Sequence, residues 1–267
     1  MYDLDVARSI SYKVISEELV TGCAAAGIRK IEISFCNPPV DFDEEEMKQK
    51  VADCIAICQK AGVEVLSVHL PYGPSWELCV PDDEVREHAM EQYLKLISIL
   101  SAIQPRRFIL HPGYPGVPVE ERDTRIQNFR KNVRILAEAV RPAKVAVEDM
   151  PRDCLGNTAD ELILLVDGLD NVCVCCDTNH FYQELTHDAV RKLGARIETL
   201  HVNDYDGKVE THWLAGEGVV EWSKVLAELE KVGYNGPFLY ECSQKYSAEQ
   251  VAESKRRIFE AYHQGKS

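Results

Sequence analysis

Short apolar runs alternate with longer amphipathic segments along the whole chain, and this alternation limits the fold more than any other feature. The longer segments, such as 44–62, repeat apolar residues every three or four positions opposite a charged face, which is typical of helices. Eight short runs have the composition of buried strands: 7–11, 30–35, 63–70, 106–112, 144–149, 171–178, 197–204 and 237–242. Because a helix follows each strand, the strands must run parallel, and eight such strands close most simply into an α/β barrel of the (β/α)8 type. We therefore expect a single barrel domain over residues 1–267.

Length and charge limit the partners of such a barrel. The 267 residues are 45% hydrophobic and 28% charged, which is enough for one large core without disulfides. The 44 Asp and Glu residues outnumber the 30 Lys and Arg residues, and the net charge is −14. This balance disfavours binding that depends on neutralising nucleic-acid phosphates and favours a small-molecule substrate. Homo-oligomerisation is left open by the sequence.

The ten cysteines and the N-terminal residues bear on the compartment. Cys173, Cys175 and Cys176 lie in a strand-like run. The first residues have no basic segment followed by an apolar one, and no apolar run is long enough to span a membrane. We therefore expect a cytoplasmic protein whose cysteines are reduced packing residues.

Residues that can bind metals stand at the carboxyl ends of seven predicted strands. They are Glu32, His69, His111, Glu148, Asp177, His201 and Glu241. In a barrel all these ends open onto the face where barrel enzymes place their active sites. Each residue alone is more simply interpreted as a hydrogen-bonded histidine or a helix-capping carboxylate. Buried carboxylates close to one another repel unless a cation lies among them, so the complete pattern predicts a divalent-metal site.

Several of these strand ends lie in motifs that resemble the xylose isomerase-like barrels. The strongest stretch, 200–241, combines a histidine that closes strand seven, a Gly-Glu-Gly turn, Gly-Tyr-x-Gly-Pro and a final glutamate. Weaker matches are SVHLPYG, LHPG, VEDMP and DTNHF. The resemblance covers nearly the whole chain and implies the same barrel. The family includes sugar and sugar-phosphate isomerases and epimerases, inosose-processing enzymes and the endonuclease IV type of abasic-site nuclease.

The resemblance also implies a metal, a ligand set and a mechanism. Its metal ligands correspond to Glu148, Asp177, His201 and Glu241. Mn²⁺ is the expected ion, with Mg²⁺, Co²⁺ or Zn²⁺ as alternatives, since oxygen-rich sites suit such cations. Glu148 and Glu241 also correspond to the glutamate pair that exchanges a substrate proton through an enediolate. Substrate contacts are expected from Glu32, His69, His111, His180 and His212. The resemblance thus predicts a metal-dependent isomerase or epimerase for a sugar or polyol ketone.

Two alternative activities stay open within the same family. The nuclease branch uses further metal ligands, and this sequence has His69, His111, His180, Glu210 and His212 at matching positions, with Glu210 in place of an aspartate. A multi-zinc phosphodiesterase acting on abasic DNA is therefore the second interpretation. The acidic composition weighs against it, and so do the βα connections, which lack basic clusters and of which the longest is expected after His69. A dehydratase acting on an inosose would share the enolate chemistry and is the third interpretation.

Two features bear on the charge of the substrate. Arg152 could contact an anionic substrate group or pair with a neighbouring aspartate, and the ion pair is the preferred interpretation. The turn 216–218 could bind a phosphate through its amides, but Glu217 would oppose the anion, so we expect an unphosphorylated sugar or polyol ketone. The arginine that contacts substrate in the family has no counterpart, because Gly207 and Lys208 stand in its place. This absence leaves the identity of the substrate open.

Overall fold

A computed structural model of the chain describes residues 1–36 and 38–266. Within these residues the eight predicted strands are confirmed as β1 Val6–Ser11, β2 Lys30–Ser34, β3 Glu64–His69, β4 Arg107–Leu110, β5 Lys144–Glu148, β6 Val172–Asp177, β7 Ile197–His201 and β8 Phe238–Tyr240. They form one parallel sheet in the order β7-β6-β5-β4-β3-β2-β1-β8. A parallel bridge between Val202 and Tyr240 brings the two edges together, so the sheet is a nearly closed (β/α)8 barrel.

The helices lie between consecutive strands and cover the outside of the sheet. They are α1 Glu17–Ala25, α2 Glu44–Ala61, α3 Asp83–Leu100, α4 Arg122–Ala139, α5 Ala159–Val166, α6 Thr186–Leu193, α7 Trp222–Lys231 and α8 Ala248–Gln264. Short polar side chains start several of them: Asp43 accepts from the Glu46 amide, and Ser247 forms a reciprocal capping box with Gln250. Gly62, in the left-handed conformation, ends α2. Local sequence signals therefore set where these helices begin and end.

Side chains along each strand point alternately into two apolar layers, one outside and one inside the barrel. The larger layer lies between the sheet and the helices, and it includes Val145 and Val147 of β5. Inside the barrel, Ala146 packs with Ile109, Cys173 and Cys175. All ten cysteines are free, and nine of them are buried, as expected for packing residues. Among the described residues no helix is long and apolar enough to cross a membrane.

The connection that follows β7 is longer than the one that follows His69. It runs over 202–221, whereas α3 begins at Asp83, so the expectation that the longest βα connection follows His69 is wrong. This connection folds back on itself, and the backbones of Asp204 and Trp213 pair as a short antiparallel bridge. It carries Glu210 and His212 to the mouth of the barrel, where both line the central cavity.

Candidate metal centre

The alternation of side chains along the strands places four potential ligands inside the barrel. Glu148 stands two residues after the interior Ala146, Asp177 two after Cys175, and Glu241 two after Leu239. Residues two apart on a strand share a face, so these carboxylates point inward at the carboxyl end. His201 closes β7 in the same way. One ligand atom from each of the four residues lies within 4.8 Å of the others.

The two ring nitrogens of His201 face carboxylates on opposite sides. Nδ1 lies 2.8 Å from Glu148 Oε1 and 3.1 Å from Glu241 Oε2, while Nε2 lies 3.2 Å from Glu32 Oε1. Glu32 is fully buried, and its Oε2 accepts a hydrogen bond of 2.7 Å from Ser67. A carboxylate that holds the outer nitrogen of a metal-binding histidine is a common device for fixing the ring. Glu32, expected from the sequence to contact substrate, lies behind His201 and outside the cavity lining.

Backbone and amide donors orient Asp177. Its Oδ1 accepts from the Asn179 amide at 2.7 Å, and its Oδ2 accepts from Asn203 Nδ2 at 2.9 Å. Burial raises the pKa of Asp177 to about 6, and the charges of Glu148 and Glu241 act in the same direction. Sequence reasoning did not identify Asn179 or Asn203, because an asparagine near a strand end carries no distinguishing spacing.

Two further imidazoles contact the other oxygen of Glu148. Nε2 of His69 lies 3.2 Å and Nε2 of His111 3.1 Å from Glu148 Oε2. The ring of Tyr72 stacks on His111, with the centroids 4.4 Å apart. Burial alone would raise the pKa of Glu148, but His201 and His111 hold it well below its usual range. Glu148 is therefore an ionised carboxylate whose two oxygens serve two separate groups of imidazoles.

A third group joins His180, Glu210 and His212. Nδ1 of His180 lies 2.7 Å from the Asp149 carbonyl oxygen, and Nδ1 of His212 lies 2.9 Å from that of Glu241. Their Nε2 atoms lie 3.6 and 3.0 Å from Glu210 Oε1. The neighbouring His180 and His212 rings lower the pKa of Glu210. His212 has a φ of 49°, a left-handed conformation that non-glycine residues adopt mainly where the surrounding structure imposes it.

The donor set around His201 fits a divalent cation. If Nε2–H of this ring donates to Glu32, the lone pair of Nδ1 points at two carboxylate oxygens, an arrangement that needs positive charge. Asp177 adds a third buried carboxylate, which one proton on the ring cannot neutralise. In the described part of the chain no Lys or Arg forms an ion pair with these ligands. Three carboxylates and one imidazole suit Mn²⁺, Mg²⁺, Co²⁺ or Zn²⁺.

Comparison with known proteins identifies the family. Residues 20–262 match the family model of the xylose isomerase-like TIM barrel. The chain belongs to this family. A probable endonuclease 4 from Acholeplasma laidlawii (strain PG-8A) is 24% identical over 262 residues, which cover 89% of this chain and 82% of that protein.

Two solved structures show the same fold as this xylose isomerase-like barrel. A D-tagatose 3-epimerase-like protein is 22% identical, with a TM-score of 0.76 over 97% of this chain and 99% of that chain. The D-psicose 3-epimerase from Clostridium cellulolyticum H10, solved with D-tagatose, is 16% identical, with a TM-score of 0.74 over 96% and 98% of the two chains. At these identities the likeness shows the shared fold alone.

The xylose isomerase-like barrel encloses a cavity of about 220 Å³, which two of the four candidate ligands, Glu148 and Glu241, line. Its lining contains His69, Tyr72, His111, Tyr114, Pro115, Glu148, Met150, Arg152, His180, Glu210, His212 and Glu241. The four histidines expected to contact substrate thus meet in one cavity, together with both glutamates of the expected proton-transfer pair. Tyr72, Tyr114 and Met150 were not identified from the sequence, since they come from connections without periodicity. Asp177 and His201 are buried and do not line the cavity.

The turn 216–218 of this barrel binds a carboxylate of the chain itself. Asp204 Oδ2 accepts hydrogen bonds of 2.9 Å from the Gly216 amide and from Trp222 Nε1, and its Oδ1 accepts from the Val220 amide at 3.1 Å. The Gly216 amide is therefore occupied, and none of the turn residues lines the cavity. The turn consequently says nothing about the charge of the substrate.

Proposed function

We propose that this chain is a divalent-metal-dependent sugar isomerase or epimerase that transfers a proton through an enediolate. One observation carries the proposal: Glu148 and Glu241 both line the cavity while each keeps one oxygen close to Nδ1 of His201. Each can therefore contribute this oxygen to a metal ion while its carboxylate faces the cavity, and Oε2 of Glu148 is also contacted by His69 and His111. The shared fold with proteins named as D-tagatose 3-epimerase-like and D-psicose 3-epimerase supports the same class.

The two glutamates have different surroundings, which suits different roles. Glu241 is 22% exposed at the cavity, and although burial opposes ionisation, the charge and hydrogen bond of His201 lower its pKa to about 2. It is an ionised carboxylate that substrate can reach, as a proton-accepting base requires. Glu148 is 1% exposed and is held in place by His69 and His111, and as an ionised carboxylate it must first gain a proton before it can return one. A divalent cation bound at these ligands would supply Lewis acidity for the substrate carbonyl and acidify the neighbouring C–H.

His180 completes the set of groups that face the substrate. Its Nε2 is buried without a hydrogen-bond partner among the described residues, and the ring lines the cavity. With Nδ1 donating to the Asp149 carbonyl, Nε2 is the ring nitrogen left to contact a substrate hydroxyl. A hydroxyl held there is fixed relative to Glu148, whose Oε1 lies 4.0 Å from Nδ1 of the same ring.

Proton exchange tests the proposal directly. The purified chain is incubated in heavy water with D-tagatose, D-psicose or D-fructose and Mn²⁺, Mg²⁺, Co²⁺ or Zn²⁺, and deuterium incorporation is followed by proton NMR. Incorporation at a carbon next to the carbonyl, with a new ketose or aldose as product, supports the proposal. Loss of water from the product would instead indicate the dehydratase. No incorporation with any sugar and metal would contradict it.

A multi-zinc phosphodiesterase is the second candidate, because the ligands form three adjacent groups. His69 and His111 face Oε2 of Glu148. His180 and His212 face Glu210 through their Nε2 atoms, which make no hydrogen bond to the backbone. The relative named probable endonuclease 4 points the same way. Elemental analysis of protein purified without chelators distinguishes the two candidates. About one metal equivalent favours the isomerase, whereas about two to three equivalents of zinc, with cleavage of a duplex containing an abasic site, favour the phosphodiesterase.

A further inference from the structure

Arg152 is the one Arg or Lys among the described residues that line the cavity. Its side chain is 51% exposed, and Nη2 lies 3.4 Å from Oε2 of Glu210. This distance exceeds the roughly 2.7–2.9 Å of a charge-assisted hydrogen bond. The other oxygen of Glu210 is already 3.0 Å from Nε2 of His212. The guanidinium therefore keeps donors that Glu210 does not use, and the ion pair with a neighbouring aspartate preferred from the sequence is not its contact in the structure.

The backbone holds Arg152 in a conformation that its own residue type disfavours. Its φ is 59°, in the left-handed region, and such conformations persist where the surroundings fix them. Asn157 donates a hydrogen bond of 2.5 Å to the carbonyl oxygen of Arg152. Arg122, the first residue of α4, donates to the Cys154 carbonyl at 2.6 Å and to Asn157 Oδ1 at 3.0 Å. The connection after β5 is thus tied at several points and presents Arg152 at a fixed place.

Arg152 and the two glutamates lie at different depths of the same cavity. Glu148 is 1% exposed and Glu241 22%, whereas Arg152 is 51% exposed beside Tyr114 and Pro115. A substrate whose reacting carbons lie between the glutamates would extend its other end toward Arg152. A planar guanidinium with free donors recognises phosphate or carboxylate oxygens in pairs.

We propose that Arg152 makes the cavity selective for a sugar that carries an anionic group, a phosphate or a carboxylate, at the end remote from the reacting carbon. The inference rests on the proposed sugar chemistry and names its substrate class. It replaces the expectation of an uncharged substrate, which depended on Glu217. That carboxylate accepts a hydrogen bond of 2.5 Å from the Tyr246 hydroxyl and does not line the cavity.

Isothermal titration calorimetry of the Mn²⁺-loaded chain tests the selectivity by binding alone. The probes are D-fructose, D-fructose 6-phosphate and D-fructuronate, which share a ketose and differ in the charged group. We expect the wild type to bind at least one anionic probe about tenfold or more tightly than D-fructose, and Arg152→Gln to bring this ratio close to one. Tight binding of the phosphate alone would identify a sugar phosphate, and tight binding of the carboxylate alone a ketouronate.

Two further variants serve as controls. Lys208→Gln removes a charge from the connection after β7 without touching the cavity lining, and it should keep the wild-type ratio. Arg152→Lys keeps the charge but not the paired donors, so its affinity ratio should lie between those of the wild type and Arg152→Gln. It also provides a test if Arg152→Gln does not fold. Equal affinities in the wild type, no binding of either anionic probe, or an unchanged ratio in Arg152→Gln would overturn the proposal. Failure of the proposed isomerase chemistry would appear separately, as an absence of deuterium incorporation in heavy water.

Discussion

Nδ1 of His201 lies 2.8 Å from Oε1 of Glu148, at the point where two strands of the barrel end. Both side chains are almost completely buried. Glu241 approaches the same nitrogen, and Glu32 holds the other nitrogen of the ring. A cluster of this kind combines a fixed ligand geometry with an unfavourable concentration of negative charge. Both properties are typical of a site that binds a cation.

Replacing His201 should weaken metal binding more than replacing Glu32, because His201 is a candidate ligand and Glu32 only supports its ring. His201→Ala removes a ligand, so we expect it to lose tight binding of Mn²⁺. Glu32→Gln keeps the size of the side chain but weakens its hold on Nε2, and support of this kind is worth about 10–100-fold in metal affinity. Competition with a fluorescent chelator measures both affinities. An unchanged affinity of His201→Ala would remove this residue from the ligand set.

Replacement of either cavity glutamate should stop proton exchange without unfolding the chain. Glu148→Gln and Glu241→Gln each remove a proton carrier, and positioned acid or base groups contribute about 10²–10⁴-fold to rate. Deuterium incorporation by proton NMR measures the loss, and thermal melting checks that the fold is kept. Glu217→Gln, which lies outside the cavity, is the matched control and should exchange at the wild-type rate. Near-normal exchange in either cavity variant would disprove the two-glutamate mechanism.

The fold could be predicted because two periodicities alternate along the sequence. Parallel strands read as apolar runs, and the alternation of side chains then fixes which residue of each strand faces inward. Glu148 and Asp177 were accessible by this route. Glu241 lies one residue beyond β8, which ends at Tyr240, but its parity with Leu239 still places it inside. Strand periodicity therefore accounts for the inward position of these candidate ligands, which the family resemblance named.

The rim of the site could not be predicted from periodicity, because it is formed by connections between strands and helices, and only the family resemblance named His180, Glu210 and His212. Nothing in the sequence pairs Glu210 with His180, since they lie on different connections that meet only in the folded barrel. Asp204 follows His201 by three residues and has the chemistry of a ligand, yet its carboxylate accepts backbone amides of its own connection. Arg152 likewise gained its position from hydrogen bonds of Asn157, which no periodicity encodes.

Acid should weaken a group of ion pairs at the amino-terminal ends of strands β4, β5 and β7. Glu198 lies 2.9 Å from Arg107 and 2.5 Å from Lys144. Burial alone would raise the pKa of Glu198, but hydrogen bonds from these two cations lower it below its ordinary value of 4.5. Because the folded pKa is the lower one, the stabilisation is complete above pH 4.5 and is lost as pH falls through the folded pKa.

Urea unfolding of Glu198→Gln measures this contribution. We expect the variant to lower the free energy of unfolding by about 1–3 kcal/mol near neutral pH. The difference from the wild type should shrink as the pH falls below 4.5. Glu45→Gln removes an exposed ion pair with Lys48 and should change stability far less at any pH. A difference that stayed constant with pH would show that the Glu198 charge is not its source.

Gly218 should tolerate no side chain, because it packs directly against the carboxylate that organises the connection after β7. A Cβ atom at this position would overlap Oδ1 of Asp204 and the carbonyl oxygen of Tyr205. Gly218→Ala must therefore displace Asp204 from its amide donors, and overpacking of this kind costs about 1–3 kcal/mol. Gly22→Ala is the matched control: it lies within α1, its Cβ would meet nothing within 4 Å, and alanine should stabilise the helix by about 1 kcal/mol. Urea unfolding measures both, and opposite signs are expected. Since the same connection carries Glu210 and His212, Gly218→Ala should also disorder the rim of the cavity. Equal stabilities of the two variants would refute this account of Asp204.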